Sequence, residues 1–204
     1  MPVLDTLCEA LEKVRATAQA PQPPAFTLGH VILSLKYLDQ APHSRELLRE
    51  RLGLGEGSVK TLIKHLKNEG LVNVSKSYGT IITPQGKEIL QKIEQNIKIQ
   101  QSEYFFDKEY VITVKDATPP TDLVEVYLLR DYFVEEGCRS VVIGGCLNGK
   151  PIFPGIQDEY TNSIRKYACP GEQAMRSLTF FCPEECFISC LSAIPRLILK
   201  HHCR

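Results

Sequence analysis

Residues 55–86 read GEGSVKTLIKHLKNEGLVNVSKSYGTIITPQG, and the rest of the chain is organised around them. Val59, Leu62, Ile63 and Leu66 recur at i, i+3, i+4 and i+7, which gives a helix one apolar face. Lys60, Thr61, Lys64 and Lys67 project from its other faces, and Gly70 is the stop signal. Ser58 precedes the first apolar residue, where its hydroxyl can accept from an orphan N–H, so it is the expected N-cap. Leu71 to Lys76 alternates as a short strand, Ser77-Tyr78-Gly79 makes a turn, and Thr80 to Ile82 returns. Thr83-Pro84 then restarts a helix. Thr caps it, and Pro takes the first helical position, where a missing N–H costs nothing.

Helix, two-stranded wing and helix, in that order, describe a winged helix-turn-helix. GSVKTLIKHLKNEGLV followed by TIITPQG resembles the recognition helix, wing and exit of MarR-type and related winged-helix transcription regulators. The resemblance covers residues 26–102, less than half the chain. The layout is also similar to archaeal two-domain proteins that join such a module to a small α/β domain.

The chain has 204 residues, enough for one large or two small domains with cores of their own. Its 24 basic and 24 acidic residues balance, which excludes a globally basic nucleic-acid coat. Residues 26–102 nevertheless carry 11 Lys/Arg against 7 Asp/Glu, and residues 103–204 carry 11 against 14. A basic module joined to an acidic one suits a DNA-binding domain with a separate sensing or assembly domain. The amino terminus is charged too early for a secretory signal, and the apolar tail from Phe187 to Leu199 is too short to span a bilayer. Eight cysteines without a disulfide-like spacing are then expected to be reduced thiols in a cytoplasmic protein.

Ahead of the module, Val3, Leu4, Leu7, Leu11 and Val14 fall at helical spacing, and their stripe packs either on its own domain or on a second copy. Ala18 to Ala25 is a Pro-rich connector, so residues 1–25 form an N-terminal helix and linker. Leu28, Val31, Ile32 and Leu35 predict the first helix of the module. Ser44 is the expected cap of a second helix carrying Leu47, Leu48 and Leu52, and Gly53-Leu54-Gly55 turns into the third. Ile89, Leu90, Ile93 and Ile97 continue the exit helix towards Ser102 and offer another seam for a homodimer.

From Tyr104 strands and helices alternate. Tyr110 to Val114 reads as a strand, Asp122 caps a helix running to Gly137, and Arg139 to Leu147 is a second strand. Asn148-Gly149 is a type I′ hairpin signal, with Lys150 to Phe153 returning. Asp158 to Ala168 is expected to be helical, Leu178 to Cys182 and Cys186 to Leu191 to be strands, and Ile194 to His202 a terminal helix. The fold class is therefore mixed α+β: a winged helix-turn-helix over 26–102, then a small α/β domain over 103–204 with helices on one face of a mixed sheet.

In a winged helix the third helix enters the major groove and its polar residues reach bases and phosphates. Ser58, Lys60, Thr61, Lys64, His65 and Lys67 are the candidates, with Lys76, Ser77 and Tyr78 at the wing tip. Arginine, the commonest reader of guanine, is absent from this helix. Gly144-Gly145 precedes a hairpin rather than a helix, which points to close backbone packing instead of a phosphate cradle. Cys182, Cys186 and Cys190 form a C-x3-C-x3-C run; buried thiols are favoured there over a metal site or redox sensing. No spacing defines a catalytic constellation or a cofactor site, and Glu135-Glu136 and Glu184-Glu185 read as surface charge.

The expected function is transcriptional regulation through double-stranded DNA, as a homodimer, with the acidic half assembling subunits or binding a small-molecule effector. The rivals are a winged-helix adaptor that contacts protein and an α/β enzyme with a winged-helix regulatory module.

Overall fold

The structure is a computed structural model that describes residues 2–18, 25–169 and 175–203. It is mixed α+β, with helices and two antiparallel sheets. Two compact units divide it: Thr6–Ile93, and Glu94–Arg204 with Met1–Asp5. The expected change at Tyr104 thus falls about ten residues late. Among the described residues no helix is long and apolar enough to cross a membrane.

The first unit follows the helix α1 (Pro2–Ala18) with α2 (Leu28–Gln40), α3 (Arg45–Leu52) and α4 (Glu56–Asn68). A hairpin, β1 (Val72–Ser75) and β2 (Gly79–Ile82), leads into α5 (Pro84–Asn96). Leu7, Leu11 and Val14 are fully buried, so this part of the α1 stripe is covered. The side chains of Val3 and Leu4, and connector residues 19–24, lie outside the described residues. Within the unit, Lys13 Nζ meets Glu69 Oε2 at 2.8 Å and ties α1 to the end of α4. Thr83 both closes the hairpin and starts α5: its hydroxyl donates to Gly70 O at 2.6 Å and accepts from Gly86 N–H at 3.1 Å. Gly86 is required on steric grounds, because a Cβ there would run into the Leu71 carbonyl.

The expected extension of α5 to Ser102 does not form. Ile97–Ser102 is instead β3, paired with β4 (Glu109–Lys115) from Ile97↔Val114 to Ser102↔Glu109. Ile89, Ile93 and Ile97 keep four-residue spacing, yet Ile97 and Ile99 also alternate with polar residues, and tertiary pairing selects the strand. All three are buried, which removes the second proposed dimer seam.

The second unit continues with α6 (Leu123–Glu135), β5 (Val142–Leu147), β6 (Lys150–Ile152), α7 (Asp158–Ser163), α8 (Arg165–Ala168), β7 (Arg176–Pro183) and α9 (Phe187–His201). Asp122 caps α6 by accepting from Glu125 N–H at 2.9 Å. Asn148 and Gly149 take φ of 51° and 73°, as the tight β5–β6 turn demands. The sheet order is β3-β4-β7-β5-β6 and every pairing is antiparallel, which corrects the expected mixed sheet. Helices cover both faces rather than one. Phe180 packs on Phe133 of α6, with ring centroids 5.0 Å apart, while its neighbour Phe181 faces Phe105, Phe153 and Tyr167 on the α8 side. Gly145 has the Ser177 carbonyl against its Cα, so the Gly144-Gly145 pair serves strand packing. The expected strand Cys186–Leu191 is the start of α9, whose fully buried Cys190, Ile194 and Leu197 repeat at helical spacing.

Candidate nucleic-acid interface

α3 ends because Gly53 adopts a left-handed φ of 64°, which only a residue without Cβ takes at little cost. Leu54 N–H then bonds Arg49 O at 3.2 Å, and Gly55 is the N-cap of α4. Ser58 is therefore not the cap but the third helical residue, half-buried in the first turn. Burial of Val59, Leu62, Ile63 and Leu66 fixes the rotation of α4.

That rotation leaves Lys60, Thr61, Lys64 and Lys67 exposed along one stripe, which spans about 10 Å at 1.5 Å per residue. Thr61 donates its hydroxyl to Gly57 O at 2.9 Å, so towards solvent it presents acceptor lone pairs. No described carboxylate lies within ion-pair distance of Lys60, Lys64 or Lys67. Their charge is uncompensated locally.

His65 does not join the stripe. It is half-buried, its Nδ1 donates to Thr17 O at 2.7 Å, and Phe26 meets its ring edge-on at 5.6 Å between centroids. A histidine at an exposed heptad offset looks like a base reader in a bare sequence. Here it ties α1 to α4.

The hairpin tip is held by local bonds. Ser75 Oγ accepts from Ser77 N–H at 3.3 Å and from Tyr78 N–H at 3.4 Å. Behind it, His43 and Thr80 exchange backbone bonds of 3.0 and 2.8 Å, and the His43 carbonyl would lie 2.5 Å from any Cβ on Gly79. The tip therefore presents Lys76, Ser77 and Tyr78 from an anchored base, all three exposed, with Tyr78 at 71%.

Two cations escaped the sequence reading. Arg45 and Arg49 of α3 are exposed and line a cavity of about 350 Å³ with Ser44, Glu46 and Glu56 at the start of α4. Their i, i+4 spacing just before the turn was the available signal. Glu46 and Glu56 in the same cavity offset part of their charge.

Cys182, Cys186 and Cys190 fall in one region but not on one helix: Cys182 lies in β7, Cys186 precedes α9 and Cys190 lies within it. Cys138 is disulfide-bonded to Cys186, and Cys146 to Cys169, whereas Cys182 and Cys190 are free and buried. The expectation of uniformly reduced thiols is corrected. The partners lie 48 and 23 residues apart, beyond what spacing reveals.

In the second unit Gln101, Glu103, Lys108, Glu109, Tyr110 and Glu184 line a groove of about 500 Å³. Glu109 is already engaged, accepting from Tyr104 and Phe105 N–H at 2.9 and 3.3 Å.

No protein-family model matches the chain, and no curated protein matches it in sequence. A solved structure described as hypothetical protein PH0730 from Pyrococcus horikoshii OT3 is similar, with a TM-score of 0.64 and 23% identity. The likeness covers 88% of this chain and 96% of that one, and it is a likeness of fold.

Proposed function

We propose that the chain is a DNA-binding transcriptional regulator whose first unit acts as a winged helix-turn-helix. One observation carries the reading: α4 turns Lys60, Thr61, Lys64 and Lys67 outward in a single stripe, next in sequence to a hairpin tipped by Lys76. A lysine-lined helix on a scaffold of this order fits the major groove, with the hairpin following the adjacent backbone. Arg45 and Arg49 supply guanidinium groups that α4 lacks.

A second copy of the chain is the proposed partner, because one such module reads only a few base pairs and specificity needs two half-sites. With α1 and α5 covered, α6 is the surface for it: Val124, Tyr127 and Leu128 are 65%, 58% and 61% exposed on one side of that helix. The effector role is proposed for the groove lined by Glu103, Lys108 and Glu184. Titration of random duplex DNA at several salt concentrations tests the central reading. Binding that strengthens steeply as salt falls supports it, and absence of binding at low salt refutes it.

Exposed apolar groups on the hairpin favour one alternative. Val74 and Tyr78 are 53% and 71% exposed, and such a hairpin suits contact with protein by an adaptor. A folded chain that ignores DNA would select that reading.

A further inference from the structure

Four cysteines converge where β7 passes into α9. Cys138 follows α6, Cys182 lies in β7, Cys186 immediately precedes α9, and Cys190 lies one turn into it. The sulfurs of Cys138, Cys186 and Cys190 all lie within 4.8 Å of one another, and Cys190 Sγ is 3.6 Å from Cys138 Sγ. Cys138 and Cys190 are fully buried, while Cys186 is half-buried and gives the cluster its opening to solvent.

We infer that, once the Cys138–Cys186 bond is reduced, Cys138, Cys186 and Cys190 form a binding site for one thiophilic metal ion of the zinc class. Zinc–sulfur bonds of about 2.3 Å in a tetrahedron set sulfurs about 3.8 Å apart, close to the Cys190–Cys138 separation. The location favours thiolates for a second reason. Cys186 and Cys190 flank the first turn of a 15-residue helix, where the positive end of the helix dipole stabilises negative sulfur. The fourth position of the tetrahedron is left to water or an exogenous ligand. Cys182 touches Cys190 but is not in the group of three, so it is not a required ligand.

A water-soluble phosphine attacks the disulfide and donates two electrons; the S–S bond breaks, two thiols form, and the phosphine leaves as its oxide with oxygen from water. The metal ion then forms three metal–sulfur bonds and displaces three protons, one from each thiol. No further oxidant or reductant takes part.

The test uses the full chain, reduced with a phosphine, stripped by a chelator that is then removed, and titrated with cobalt(II). One equivalent should produce thiolate-to-cobalt charge-transfer absorption with tetrahedral ligand-field bands, and one equivalent of zinc(II) should abolish both. The half-buried Cys186 thiol should react with a thiol reagent in the stripped form and be protected in the zinc form. Cys190→Ser and Cys186→Ser should each weaken binding by more than the about 100-fold that loss of an outer-shell partner costs, and Cys182→Ser by less than about 10-fold. Cys186 is half-buried, so its Ser variant keeps the fold, which circular dichroism checks. Absence of the charge-transfer band in the reduced chain overturns the site. So does a cobalt affinity of the folded Cys186→Ser variant within about 10-fold of the parent's, or an equal loss in Cys182→Ser.

Discussion

Replacing Lys60, Lys64, Lys67 and Lys76 together by Ala removes four exposed ammonium groups from the proposed DNA face. Three of the four sit in α4, where Ala is the best helix former, so the substitution does not weaken that helix. Each phosphate neutralised contributes about 0.9 to the slope of log K against log salt, and four contribute about 3.6. Between about 50 and 200 mM salt, a fourfold change, the unsubstituted chain should lose about 150-fold more affinity than the variant. Fluorescence anisotropy of a labelled random duplex measures both slopes directly. Single substitutions should each lower the slope by about 1 and weaken all sequences alike, as phosphate contacts do. A quadruple variant with an unchanged melting temperature and an unchanged slope would refute the assignment of α4 to the groove.

Gly86→Ala should cost about 1–3 kcal/mol in denaturant unfolding, since the new methyl overlaps the Leu71 carbonyl where α5 meets the hairpin; an unchanged midpoint would show that this contact yields freely. Burial holds the His30 imidazole below its usual 6.5, and its neutral Nδ1 accepts from Thr27 N–H at 3.0 Å at the start of α2. The unfolded chain therefore binds more protons, so stability should decline as pH falls through about 6.5 and reach its full loss below the folded value. His202, also lowered by burial, acts in the same direction. His30→Gln keeps an acceptor for Thr27 without titrating, and should flatten the decline of melting temperature with pH; an unaltered profile would clear His30 of any part in it. Leu128→Glu places charge in the exposed face of α6 and should convert a dimer to a monomer in light scattering. A dimer that survives the change, or a monomeric parent chain, would remove α6 from the assembly.

Signals confined to a few neighbouring residues read true with one exception, Ser58, which loses the cap of α4 to Gly55 three residues earlier. Ser44 accepts from Leu47 N–H, Gly53, Gly70 and Gly149 take positive φ, and Thr83 caps α5, each because the reason is steric or a hydrogen bond within three or four residues. The lysine stripe of α4 was legible for the same cause, as the apolar positions fix the rotation of the helix. The other failures depend on partners far along the chain. Ile97–Ser102 suits either helix or strand until β4 is there to pair with it, and Cys186–Leu191 turns helical under the packing of α9. His65 could be placed only by knowing that Thr17 and Phe26 lie beside it. The disulfides and the thiol cluster join Cys138 to residues 48 and 52 positions later, and no local period carries that information.

Among the described strands of the sheet β7 is the latest to leave the ribosome, yet it lies between β4 and β5. Its pairing Val111↔Phe181 closes 70 residues (181 − 111). Until residue 183 is available, β3–β4 and β5–β6 can exist only as two hairpins, each with an unpaired inner edge. At about 5–20 residues per second, the 68 residues from Lys115 to Pro183 take about 3–14 s to synthesise. During that interval the inner edge of β4, joined after Leu147 by that of β5, is a template for any other extended chain. Thr6–Ile93 has all its residues before that interval begins and can fold first. Aggregation of nascent chains should accordingly concentrate on the VITV and VIGG segments, and slowed elongation across residues 116–175 should worsen it.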